Sequence, residues 1–306
     1  MKIAVLSFAE DYVRSLAGMP GVEVVVADPD GQGRAAADRL GVAHVDSWDA
    51  VFALRPRAVV VTGEVARRRD LVERAAAVGA QVLCEHPLAV EEADAQAMVD
   101  ACAAAGVRLT VASPACFSPA FSDVRQGIAD SGVGELMTIH GAFNSPGRDG
   151  ALDDHAPYVL DLVDAVLGGE QAEQVYAQVN SIVSGQPGVE SAAFVSVRYP
   201  SGVVAALDCG WGPSVNQRAG DTPEVTFVGD QGSVEFTANP RLLGGFDRWE
   251  AKTDPRSVML TEFVAAVADG RAVGPDGAAG VRALRVVRAA RESARTGHPV
   301  DLCGGR

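Results

Sequence analysis

Lysine is nearly absent from this chain. Of 26 basic residues only Lys2 and Lys252 carry an amine, which leaves little for Schiff-base chemistry. The five cysteines (Cys84, Cys102, Cys116, Cys209, Cys303) are odd in number and widely spaced, with no C-x-x-C pair, so neither a disulfide framework nor a zinc site is expected. No basic run interrupts a net charge of −14, which argues against nucleic acid as a partner. Nowhere do 18 apolar residues run together, and the first residues lack the apolar segment and small-residue cleavage site of a secretion signal. A chain with no membrane partner, working in the cytoplasm, is the expectation. Internal repeats and low-complexity linkers are also missing.

What is present is a globular composition, 48% hydrophobic and 22% charged over 306 residues, a length that suits two domains. Apolar runs at 3–6, 22–27, 58–62, 82–84 and 108–112 alternate with helical patterns at 11–16, 34–40, 66–78 and 91–105. The helices close on Gly18, Gly41, Gly79 and Gly106, a residue type common at helix ends. Alternation of this kind predicts an α/β, Rossmann-like doubly wound parallel sheet over 1–117. From 118 to 306 the pattern changes. A helix at 119–131, a strand at 135–143 and one helix at 154–167 lead into strands at 174–183, 192–199, 202–211, 223–228 and 233–237. Tight turns at 200–202 and 229–232 make that sheet mainly antiparallel. Helices at 258–268 and 278–296 complete an α+β domain, the last of them able to pack back on the first domain.

The run Val82-Leu83-Cys84 reads as a buried strand, with Glu85-His86-Pro87 at its carboxyl end. Ligands of open α/β sheets bind outside such ends. Proline keeps the residue before it extended, so His86 is directed out of the strand end and becomes the leading candidate for chemistry; the competing reading is a solvated strand exit. Farther on, Asp154, Tyr158 and Asp161 recur at i, i+4 and i+7 with His155 adjacent, three polar groups on one face of an apolar helix. Against a functional role stands a packing account in which Asp154 is an N-cap, Pro157 occupies the first turn and Tyr158 is a core aromatic.

The hexapeptide Cys84-Glu85-His86-Pro87-Leu88-Ala89, the order of elements, and the segment from Asp154 through Tyr158 and Asp161 to Gly168 resemble the Gfo/Idh/MocA oxidoreductases over essentially the whole chain. That resemblance implies an NAD(P)-binding Rossmann domain and a sheet domain used for substrate and subunit contacts. It further implies a homodimer or homotetramer, a small-molecule substrate such as a sugar or cyclitol, and hydride transfer at a carbinol carbon. The cofactor, NAD or NADP, would meet Ser7, Ala9, Asp28, Glu85 and His86. The family's catalytic histidine falls on Tyr158, a position where its sugar and dihydrodiol oxidoreductases also carry tyrosine. Catalytic roles would then fall on His86, Tyr158, Asp161 and His155.

Several positions depart from the family pattern. The three glycines of the dinucleotide fingerprint fall on Ser7, Ala9 and Tyr12, with Glu10 and Asp11 between the last two, so side chains and two acids stand where the backbone should approach a pyrophosphate. Asp28 matches the acid that accepts the ribose hydroxyls, although it also suits a turn before Pro29. Val65 and Arg68 stand where relatives carry Asn and His, and His86 replaces a lysine. Two readings therefore stand: a nicotinamide-dependent oxidoreductase, and a non-redox enzyme or binding protein that has lost the cofactor seat.

Overall fold

The computed structural model describes residues 1–31, 33–186, 188–212, 223–237, 241–244, 247–250 and 254–302, with the 241–250 segment described by its backbone alone. Cys303 lies outside the described residues. The chain divides into two compact units. One takes Met1–Ser113 with Arg256–Val281, the other Pro114–Pro255 with Arg282–Arg306.

In the first unit the chain runs β1 (Lys2–Leu6), α1 (Glu10–Ala17), β2 (Glu23–Ala27), α2 (Arg34–Leu40), β3 (Ala43–Val45), α3 (Trp48–Ala53), β4 (Ala58–Val61), α4 (Val65–Ala77), β5 (Gln81–Cys84), α5 (Glu92–Ala104) and β6 (Leu109–Val111). The six strands pair in parallel in the order β3-β2-β1-β4-β5-β6. Residues 3–6, 58–61 and 82–84 are solvent-free, which is why these strands read as continuous apolar runs without alternation. The sixth strand, β3, was not expected. It is a three-residue edge strand whose His44 interrupts the apolar pattern. The strand order reverses between β1 and β4, the switch point at which open α/β sheets form their ligand crevice.

The second unit opens on a 3-10 turn (Pro114–Phe117), then α6 (Pro119–Ala129), β7 (Leu136–Asn144), α7 (Ala151–Asp154) and α8 (Ala156–Val166). Strands β8 (Gln174–Asn180), β9 (Ala192–Arg198), β10 (Val204–Gly210), β11 (Glu224–Gly229) and β12 (Ser233–Thr237) follow, then a hairpin of β13 (Arg241–Gly244) and β14 (Asp247–Glu250). Helix α9 (Pro255–Asp269) and the start of α10 (Gly277–Thr296), within 256–281, belong to the first unit, and the rest of α10 with a short β15 (Val300–Asp301) belongs to the second. Seven strands form one sheet in the order β12-β11-β7-β10-β9-β8-β15, antiparallel except for the β7–β10 pair. Its inner face packs Val175, Ala177, Val195, Val197, Leu207 and Phe227 against α8 and the later part of α10. Alternate residues face outward and stay bare: Phe194 is 54% exposed and Tyr176 37%.

One expected helix, 154–167, is two. His155 adopts φ −126° and ψ −42°, which breaks the chain between α7 and α8. Pro157, in the first turn of α8, lacks the N–H and the conformational range that would let the two fuse. Asp154 is therefore the last residue of α7, and it does not share a continuous helix face with Tyr158 and Asp161 as the spacing suggested.

Candidate active site

At the β1 exit Ser7 sits in the left-handed region at φ 69°, the conformation glycine usually supplies. Its neighbours impose that turn. The Thr62 hydroxyl donates to the carbonyls of Leu6 (3.1 Å) and Ser7 (3.3 Å), and Gly63 has no room for a Cβ because the Ser7 side chain fills the space. Ala9 then caps α1 with no side-chain hydrogen bond, so no side chain competes for the amides of the first turn. The acids of that turn are already engaged. Glu10 pairs with Arg39 at 3.0 Å and with Arg14, and the Arg39 hydrogen bond holds its carboxyl below the usual carboxylate range. Asp11 pairs with Arg256 at 2.9 Å, whose guanidinium also lies over the Tyr12 ring. Three guanidinium groups thus surround two carboxylates, and the repulsion expected of an unpaired acid beside a phosphate is answered by these pairs. The turn fits an anion such as a pyrophosphate.

Asp28, 5% exposed at the end of β2, accepts the Gly33 N–H at 2.6 Å. One carboxylate oxygen therefore braces the loop into α2, while Phe8 packs against Gly33, which has no side chain to obstruct it.

His86 is buried at the β5 exit, and its peptide bond to Pro87 is cis. Beside it Glu85 is half-buried. Arg68, named in the sequence only as a departure, is the side chain that organises this corner. From the first turn of α4 it reaches the carbonyls of Gly63, Glu85 and Pro87 and is 4% exposed. Burial pushes the Cys84 thiol up to about 12 despite that nearby cation, so Cys84 is packing rather than a nucleophile.

In the second unit the ends of β7 and β10 and the α7–α8 junction converge. Phe143 lies edge-on to both His155 (4.8 Å between centroids) and Tyr158 (5.9 Å), so that one ring packs with both. His155 is 1% exposed. Its Nε2 lies 3.3 Å from the Ser145 hydroxyl, its Nδ1 has no hydrogen-bond partner among the described residues, and burial holds it neutral by lowering its pKa, with Asp154 opposing. Tyr158 is half-buried, and Asp161, one turn on, is 1% exposed.

Asp154 is occupied. Its carboxylate accepts the backbone N–H groups of Arg148 (2.7 Å), Asp149 (3.1 Å) and Gly150 (3.3 Å) and the Trp211 indole N–H (3.2 Å). The sequence offered this residue as an N-cap; instead it ties the loop before α7 to the end of β10. Among the described residues no group of three or more His, Cys, Asp or Glu is arranged to hold a metal. None of the described helices is long and apolar enough to cross a membrane.

Residues 7–113 match the family described as "Oxidoreductase family, NAD-binding Rossmann fold", and residues 121–235 match the "GFO/IDH/MocA C-terminal domain". D-apiose dehydrogenase of Paraburkholderia graminis is 24% identical, over 96% of this chain and 87% of its own. Inositol 2-dehydrogenase 1 of Saccharopolyspora erythraea is 26% identical, over 95% and 92%. Among solved structures, scyllo-inositol dehydrogenase from Lactobacillus casei with bound NAD(H) and scyllo-inositol superposes with a TM-score of 0.84, covering 98% of each chain at 14% identity.

Proposed function

As the chain is an oxidoreductase of the Gfo/Idh/MocA family with an NAD-binding Rossmann domain, we propose that it interconverts a secondary hydroxyl and the matching ketone on a sugar or cyclitol. The reading draws on relatives named as apiose and inositol dehydrogenases. The single observation that carries it is the β1 exit, where Ser7 makes the glycine turn and the first-turn acids of α1 are paired with arginines. We assign the holding of NAD or NADP to Ser7, Ala9, Asp28, Glu85 and His86. When bound, the cofactor supplies the hydride acceptor or donor. Tyr158 takes or returns the carbinol proton, His86 hydrogen-bonds the substrate oxygen, and Asp161 orients the substrate. Buried His155 acts through Ser145, whose hydroxyl it fixes.

Calorimetric titration with NADH and NADPH tests this reading. Ser7, Ala9 and above all Tyr12 keep side chains where a glycine-rich turn has none, so binding weaker than about 1 μM, roughly 8 kcal/mol, is expected. Tighter binding would mean that these side chains cost nothing, and no saturable binding of either nucleotide would remove the cofactor from the reading.

The outer face of the β7–β12 sheet is the surface through which the chain forms a homodimer or homotetramer in the cytoplasm. Phe194 and Tyr176 lie on it, and Ile182 and Val183 just beyond β8 are 83% and 69% exposed, more apolar surface than a monomer usually leaves bare. Sedimentation at roughly ten micromolar, a concentration at which a standard-size interface holds, is expected to give a dimer or larger; a monomer there would end the claim.

A further inference from the structure

We infer that Arg68 is the positioning residue for His86, holding the peptide groups on both sides of it with one buried guanidinium. The inference rests on the reading of His86 as a group that touches substrate. Arg68 Nη1 donates to the carbonyls of Glu85 at 2.7 Å and of Pro87 at 2.5 Å, the residues that flank His86. On its other edge Nε and Nη2 donate to the Gly63 carbonyl at 3.2 and 2.9 Å. One side chain therefore ties the exit of β5 to the exit of β4, its parallel neighbour in the sheet.

A cation at 4% exposure is costly to bury, and the acid facing it, Glu85, stands 3.7 Å away, too far for a close pair. Carbonyl dipoles carry most of the compensation. Only a planar fork with several N–H groups in fixed directions reaches three carbonyls at once; a lysine amine is a single point and can serve one corner. The arrangement fixes where the backbone of residue 86 lies. Chemistry is sensitive to that placement, since an error of about 1 Å in a reacting group costs on the order of 10²-fold in rate.

Three variants test the inference: Arg68→Met, Arg68→Lys, and Leu71→Ala, which removes a buried side chain from the same helix without touching the clamp. Each is read by hydrogen exchange of the cofactor-free protein and by steady-state kinetics with NAD or NADP and a polyol that the parent oxidises, scyllo-inositol being tried first. Faster exchange is expected over 82–89 in both Arg68 variants, with 2–6 unchanged. Turnover per folded site should fall about 10²-fold for Met and about tenfold for Lys, with the substrate KM within about twofold. Leu71→Ala should lower the melting temperature and leave turnover and the 82–89 exchange as in the parent. Unchanged exchange over 82–89 in Arg68→Met overturns the inference, as does a loss of turnover no larger than the loss of folded protein. If the parent itself fails to oxidise any polyol while the exchange pattern appears as expected, the clamp stands and the proposed reaction falls.

Discussion

Replacing Tyr158 by phenylalanine is expected to lower turnover by roughly 10² to 10⁴-fold, the usual contribution of a positioned acid or base. The change deletes one oxygen and keeps the ring, so the edge contact with Phe143 survives. Because the side chain is half-buried at the start of α8, a lost hydroxyl should cost only about 1 kcal/mol of stability. If the phenol moves the carbinol proton, the loss should appear in kcat and in kcat/KM together, because the interaction exists in the transition state and not in substrate binding. Equal turnover in Tyr158→Phe would leave Tyr158 as a packing aromatic beside Phe143 and His155.

The second large effect is expected at Asp154, and there it is one of stability. Its carboxylate receives three backbone N–H groups and the Trp211 indole, and hydrogen bonds to a charged group are worth about 1.5–3 kcal/mol each. These four share one carboxylate and part of the loop can turn to water, so Asp154→Ala should cost about 3 kcal/mol in all, still a large share of a typical domain's stability. Asp154→Asn keeps an acceptor and should recover more than half of that in urea unfolding. Turnover of the Asn variant should stay within about threefold of the parent, because the anchor and not the charge is what the loop needs. Should Asp154→Asn fold normally yet lose turnover by about 10²-fold, the carboxylate is part of the chemistry and the anchor account is wrong.

The parallel sheet was legible because its strands are buried on both faces and so appear as unbroken apolar runs separated by amphipathic helices. A three-residue edge strand such as β3 has too few positions to show any period, and His44 interrupts the few it has. The break at His155 was signalled by Pro157, yet proline is equally at home in the first turn of a helix, so composition could not say whether the chain breaks just before it. Polar side chains were the least readable. Arg68 looked like a lost histidine until its carbonyl partners, 5 to 19 residues away, were seen, and Asp154 looked like a cap for residues after it although it serves residues before it. Where a polar side chain turns depends on which backbone groups lack partners nearby, and that is decided by tertiary structure.

The first unit draws residues 256–281 from far along the chain. Pro275 accepts the Val111 N–H at 2.8 Å on the edge strand β6, Ser257 meets Ser15, and Gly280 comes so close to Leu88 and Val111 that a side chain there would collide. During synthesis on the ribosome the first 113 residues therefore emerge without the segment that closes their sheet, and they wait for more than 140 further residues before it arrives. At a synthesis rate of about 5–20 residues per second that interval lasts on the order of ten seconds, during which β6 is an open edge. The unit that starts at the N-terminus is thus completed only after most of the chain has been made, and until then its β6 edge is open to pairing with another strand.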